Sequence, residues 1–138
     1  MVGLKETHFF HKMQDGSLHS IYLWEPDDVI HLIGVVQLVH GSCEHSARYR
    51  DFANYLTTQG FVVVANDLRG HGLTARTIND LGYFADDNGW ETLILDLLEI
   101  NRYTKIAFPD QPVFMIGHSM GSFLARHYLL IHGNTIDG

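Results

Sequence analysis

The sequence predicts an α/β fold, a mostly parallel sheet entered through an antiparallel hairpin and covered by helices on both faces. Three observations carry this. Apolar, β-prone runs at 33–39, 61–65 and 113–116 are each followed by residues at helical spacing. Two shorter runs with a turn between them precede the first. In 138 residues, 46% hydrophobic and 12% aromatic, there is enough apolar material for one packed domain and too much for a disordered chain.

The elements follow in order. Segments 7–13 and 19–24 read as strands, and Gln14-Asp15-Gly16-Ser17 reads as the hairpin turn between them. Pro26-Asp27-Asp28 stops the second strand. Segment 33–39 is apolar except for Gln37, as a strand buried on both faces requires. Tyr49, Phe52, Ala53 and Leu56 fall at i, i+3, i+4 and i+7 of a helix, with Ser46 as its expected N-cap and Gly60 as its stop. Segment 61–65 is the next strand. Segment 66–87 has glycines, polar residues and no long period, and reads as loop. A second helix starts near Asn88, with Glu91 completing an expected capping box and Trp90, Leu93, Ile94, Leu97 and Leu98 on its core face. Val113 opens the last strand, and Phe123, Leu124, Tyr128 and Ile131 continue at helical spacing. Thr135-Ile136-Asp137-Gly138 reads as the start of another strand.

Composition excludes several classes. Net charge is −7, from 16 acidic and 9 basic residues, and no basic cluster exists, so a nucleic-acid partner is not expected. The ten histidines show no H-x-x-x-H and there is no C-x-x-C, so neither metal nor cofactor is expected. Cys43, the one cysteine, cannot form an internal disulfide. The N-terminus lacks a signal-peptide core and no apolar run reaches membrane-spanning length. A cytoplasmic protein without an integral membrane segment is the expectation.

The chemistry concentrates in Gly117-His118-Ser119-Met120-Gly121, a G-x-S-x-G pentapeptide. A strand before it and a helix after it are the setting of a nucleophile elbow. Gly117 and Gly121 let strand and helix approach closely on either side of the serine. The N–H groups that open the following helix favour negative charge beside Ser119. In a sheet of this kind ligands sit beyond the carboxyl ends of the strands, which places the loops 40–46 and 66–74 beside the elbow. They read Val39-His40-Gly41-Ser42-Cys43-Glu44-His45-Ser46-Ala47-Arg48-Tyr49 and Asn66-Asp67-Leu68-Arg69-Gly70-His71-Gly72-Leu73-Thr74.

In this order, the three motifs make the chain resemble the α/β-hydrolase superfamily, in its monoacylglycerol lipase, lysophospholipase and serine aminopeptidase S33 branch. Thr74, where that branch usually has serine, keeps the hydroxyl. The resemblance implies that Ser119 is the acyl-accepting nucleophile of a serine esterase and that the backbone N–H groups of Met120 and Ser42 are its oxyanion donors. It places His40, Gly41, Glu44, His45 and His118 in the loops around the substrate, with Gly41 allowing close backbone approach. Adjacent side chains on a tight turn point apart, so His118 is not expected to be the base. Asp67 and His71 are expected to brace their loop, and Glu44, His45 and Arg48 to shape the site entrance or pair with one another. The implied substrate is a small acyl ester, with amide or peptide bonds as the alternative.

In this superfamily the acid and histidine of the triad follow the serine. Only 19 residues follow Ser119. His127 and His132 lie about 12 Å and about 20 Å along the helix from it, too far for a general base. Residues 1–138 therefore read as the N-terminal portion of a single hydrolase domain, an incomplete sheet lacking its C-terminal strands and lid. The missing half is expected as a separate chain or segment, and residues 1–138 alone are expected to be inactive; a truncated half-domain without catalysis is the further alternative.

Overall fold

The computed structural model describes residues 4–27 and 31–138. Strands β1 (Leu4–Lys12) and β2 (Leu18–Pro26) form the hairpin, paired antiparallel with His11 opposite His19. Strands β3 (Gly34–Val39), β4 (Phe61–Asn66) and β5 (Val113–Gly117) form the parallel part. One five-stranded mixed sheet results, in the order β1-β2-β4-β3-β5. β2 joins the parallel part antiparallel to β4. Pro26 ends β2 as expected, and Asp28 lies outside the described residues.

Strand alternation sorts the core into two layers. Tyr22, Trp24, Val36, Leu38, Val63 and Ala65 meet Ala53 of helix α1 (Arg50–Thr58) on one face. On the other lie helices α2 (Gly89–Ala107) and α3 (Met120–His132), where Val39 packs with Leu93, Ile94, Leu97, Leu98, Leu124 and Tyr128. The polar interruption in β3 is fully buried and paired: Gln37 donates to the Leu97 carbonyl at 3.0 Å and accepts from Asn101 at 3.3 Å.

Several boundaries differ from expectation. Ser46 does not cap α1; it opens a 3₁₀ turn, Ser46–Tyr49, because its N–H is drawn to Asp67 Oδ1 at 2.8 Å. The box at Asn88 and Glu91 does not form. Asn88 is left-handed, at φ 52°, and its carbonyl rather than its side chain serves the first turn, accepting from the Thr92 N–H and hydroxyl. A capping box occurs instead inside the expected loop, where Thr77 and Asp80 close the turn Ile78–Asp80. On α3 only Leu124 and Tyr128 of the spaced apolar set are buried, while Phe123 and Ile131 are 60% and 55% exposed. Gly60, at φ 96°, does follow the end of α1.

Residues 135–138 do not open a regular strand. A 3₁₀ turn, Gly133–Thr135, follows α3, and the Asp137 carboxylate then accepts from the Val113 N–H at 2.9 Å. Two backbone bonds remain along β5, from Asp137 N–H to Val113 and from Met115 N–H to Gly138.

Candidate active site

Ser119 stands between β5 and α3 with φ 55° and ψ −121°. A non-glycine residue there is strained, and such strain persists only where the surroundings enforce it. They do so through contact. A Cβ on Gly117 would lie 2.3 Å from the Gly121 carbonyl oxygen, and one on Gly121 would lie 2.2 Å from that of Val39. His118 N–H donates to Val39 at 3.1 Å, fixing the turn to the end of β3. The first turn of α3 closes at once behind the serine: Ser122 bonds the Ser119 carbonyl through both its N–H, at 2.9 Å, and its hydroxyl, at 2.6 Å. Ser119 itself is exposed.

The 40–46 loop lies directly against this turn. A Cβ on Gly41 would be 3.0 Å from both Ser119 Cβ and the His118 carbonyl. His40 anchors the loop from below. It is fully buried, its Nδ1–H donates to the Gly41 carbonyl at 2.7 Å and its Nε2 accepts from Leu68 N–H at 2.9 Å. That pattern requires the neutral ring, and burial pushes its pKa down accordingly. His40 thus belongs to the loop's foundation and not to its solvent face. Ser42, Cys43 and His45 are exposed on the outer side. Among the described residues, neither the Ser42 N–H nor the Met120 N–H has an acceptor.

Glu44 is 8% exposed and gathers donors. Its Oε1 accepts from Gly41 N–H at 2.5 Å and from the Tyr49 hydroxyl, and lies 3.4 Å from His118 Nδ1. Arg48 approaches Oε2 at 3.4 Å. Burial acts to raise the Glu44 pKa, but donation from Tyr49 and Gly41 outweighs it and holds the group below the ordinary range. The Tyr49 hydroxyl is shifted upward, by burial and by its bond to Glu44. The pairing expected among Glu44 and Arg48 is present; His118 and Tyr49 also join it, while His45 makes no side-chain bond among the described residues.

The second motif braces both loops. Asp67 accepts from Ser46 N–H at 2.8 Å and Leu73 N–H at 2.9 Å. Thr74 Oγ1 donates to the Asp67 carbonyl at 2.7 Å and accepts from Ser20 N–H at 3.0 Å, the work of a hydroxyl that serine would share. His71 is held to the Arg69 carbonyl at 2.9 Å. Between this loop and the first lies an open cavity of about 570 Å³, lined among others by Ser42, Cys43, His71, Leu81 and Phe84. Leu81 and Phe84 come from the segment read only as loop, where no periodicity marked them.

The two histidines after Ser119 are engaged elsewhere. Trp90 donates to His127 Nδ1 at 2.7 Å, and His132 packs on the Tyr128 ring.

The family model described as serine aminopeptidase, S33, matches residues 31–138. A monoacylglycerol lipase of Mycolicibacterium smegmatis is 33% identical over 82% of this chain and 38% of its own length. A monoglyceride lipase homolog of monkeypox virus is 31% identical over 74% of this chain and 34% of its own. Among solved structures, a thermostable carboxyl esterase of Bacillus coagulans, in complex with glycerol, superposes with a TM-score of 0.84 at 33% identity, covering all of this chain and 43% of the esterase. The chain thus spans well under half the length of these relatives. The family match over most of the chain and the shared fold show that it belongs to the serine aminopeptidase S33 family of α/β-hydrolases.

Proposed function

We propose that this chain carries the nucleophile and oxyanion hole of a serine hydrolase acting on carboxylic esters of the monoacylglycerol or lysophospholipid kind. The observation that carries the reading is Ser119 held at positive φ with Gly41 so close beside it that an added Cβ would come within 3.0 Å of Ser119 Cβ. Ser119 Oγ attacks the ester carbonyl carbon and gives up its proton to a histidine base. Charge collects on the carbonyl oxygen, where the Ser42 and Met120 N–H groups stabilise it; one such donor is worth about 3–4 kcal/mol. The carbonyl re-forms, the C–O bond to the alcohol breaks and the histidine protonates the departing oxygen. Water then attacks the Ser119 ester by the same route in reverse and releases the acid.

The triad acid and histidine come, in this reading, from a segment outside these residues. Ester substrates are supported by the lipase and esterase relatives. The aminopeptidase description of the family model favours amide bonds as the second reading. A cytoplasmic place, with Cys43 reduced, belongs to the same proposal. The full-length protein is expected to hydrolyse monoacylglycerols faster than aminoacyl amides, and Ser119→Ala to lower that rate by more than about a thousandfold. Faster amide turnover would move the assignment to the peptidase reading, and undiminished hydrolysis by Ser119→Ala would remove it.

A further inference from the structure

Glu44 presents a puzzle of charge. A buried carboxylate lies beside the place where, on the reading of Ser119 as an acyl-accepting nucleophile, negative charge must develop, and like charges at that range oppose each other. Its oxygens are already occupied, by Gly41 N–H, the Tyr49 hydroxyl and His118 Nδ1 at Oε1 and by Arg48 at Oε2. Its Oε1 is thus engaged within the protein. What it does is join three separate pieces of chain: the 40–46 loop, the turn that opens α1 and the elbow.

We propose that Glu44 is the positioning residue of the oxyanion hole: by taking the Gly41 N–H it leaves the Ser42 N–H as the loop's free donor, and through His118 it ties that loop to the serine turn. The proposal rests on the ester-hydrolase reading. Gly41 is where the tie matters, because it lies so close to the elbow that an added Cβ would come within 3.0 Å of Ser119 Cβ and of the His118 carbonyl oxygen. Without the carboxylate, the Gly41 N–H is unpaired and the loop is free to turn its peptide groups, so that Ser42 N–H no longer faces the ester oxygen. Arg48 and the donors offset the charge that Glu44 brings.

The test uses the full-length protein, a soluble monoacylglycerol and a fluorophosphonate probe. Glu44→Leu, similar in size but without an acceptor, is expected to lower kcat and the rate of Ser119 phosphonylation by about 10- to 100-fold while KM stays within about twofold. Glu44→Gln, which keeps an oxygen for the Gly41 and Tyr49 donors, is expected to recover most of that loss. Glu44→Asp, one methylene shorter, is expected to lose about tenfold in kcat although its charge is intact, and serves if the leucine variant does not fold. An effect on KM with kcat unchanged would make Glu44 a substrate contact and overturn the proposal, as would Glu44→Gln failing no less than Glu44→Leu, or Glu44→Asp matching the unsubstituted protein. Absence of a Ser119 adduct in the unsubstituted protein would instead count against the ester-hydrolase reading itself.

Discussion

A single methyl group at position 121 would fall 2.2 Å from the Val39 carbonyl oxygen and 2.5 Å from that of His40. No rotamer relieves that contact, because both partners are backbone. Gly121→Ala must therefore push α3 away from β3, and it is expected to cost about 3 kcal/mol or more of stability, read as a lowered urea midpoint; an unchanged midpoint would mean that the elbow is looser than described. A second residue, His19, carries a pH signature. It is fully buried, with neither ring nitrogen hydrogen-bonded among the described residues, and Nε2 lies 3.8 Å from Asp96 Oδ2. Burial, with help from Arg69 and His11 and against the pull of Asp15 and Asp67, lowers its pKa to about 4. The unfolded chain takes up a proton near pH 6.5 that the folded chain refuses until about pH 4, so His19 costs stability as pH falls through that window. Asp96, raised by burial to about 6 despite Arg69, acts in the opposite sense. His19→Leu removes only the first contribution. Relative to the unsubstituted protein the variant is expected to gain up to about 3 kcal/mol between pH 7 and pH 4, measured by urea unfolding at each pH; a pH-independent difference would contradict the assignment.

At the scale of elements, the loops near the serine depend on one carboxylate. Asp67 at the end of β4 holds the start of the Ser46–Tyr49 turn and the Leu73 N–H together. Asp67→Ala strands two donors and is expected to lower stability by about 2–4 kcal/mol, with Asp67→Asn, which keeps one acceptor, losing less; thermal unfolding of the two variants checks the order. The same elements show what periodicity can reveal. The strands and helices around Val36, Leu56, Val63 and Leu97 were legible because burial on a sheet or helix face forces a spacing of apolar residues. Caps were not. Ser46 and Asn88 are good cap types, but Asp67 claims the backbone of the first and the left-handed φ of the second takes its side chain out of reach. Phe123 and Ile131 had the spacing of a core face and remain exposed, since α3 packs on α2 and β5 through its other side.

Over the whole molecule, loops at residues 40–46, 66–74 and 117–121, each beyond the carboxyl end of a parallel strand, come together as the candidate site. Their meeting was legible because the carboxyl ends of parallel strands lie at one edge of the sheet, so loops that follow such strands gather there. The link from Glu44 to His118 was not, because His118 reaches it only after β3 and β5 pair. A strained serine, a glycine loop close beside it and two N–H groups without an acceptor among the described residues support the proposal that Ser119 is the nucleophile. The most direct test is the mass of the full-length protein after treatment with a fluorophosphonate, followed by peptide mapping. The account predicts one adduct, on the peptide containing Ser119, absent from Ser119→Ala; a folded protein that takes up no adduct, or takes it up at another residue, would contradict it.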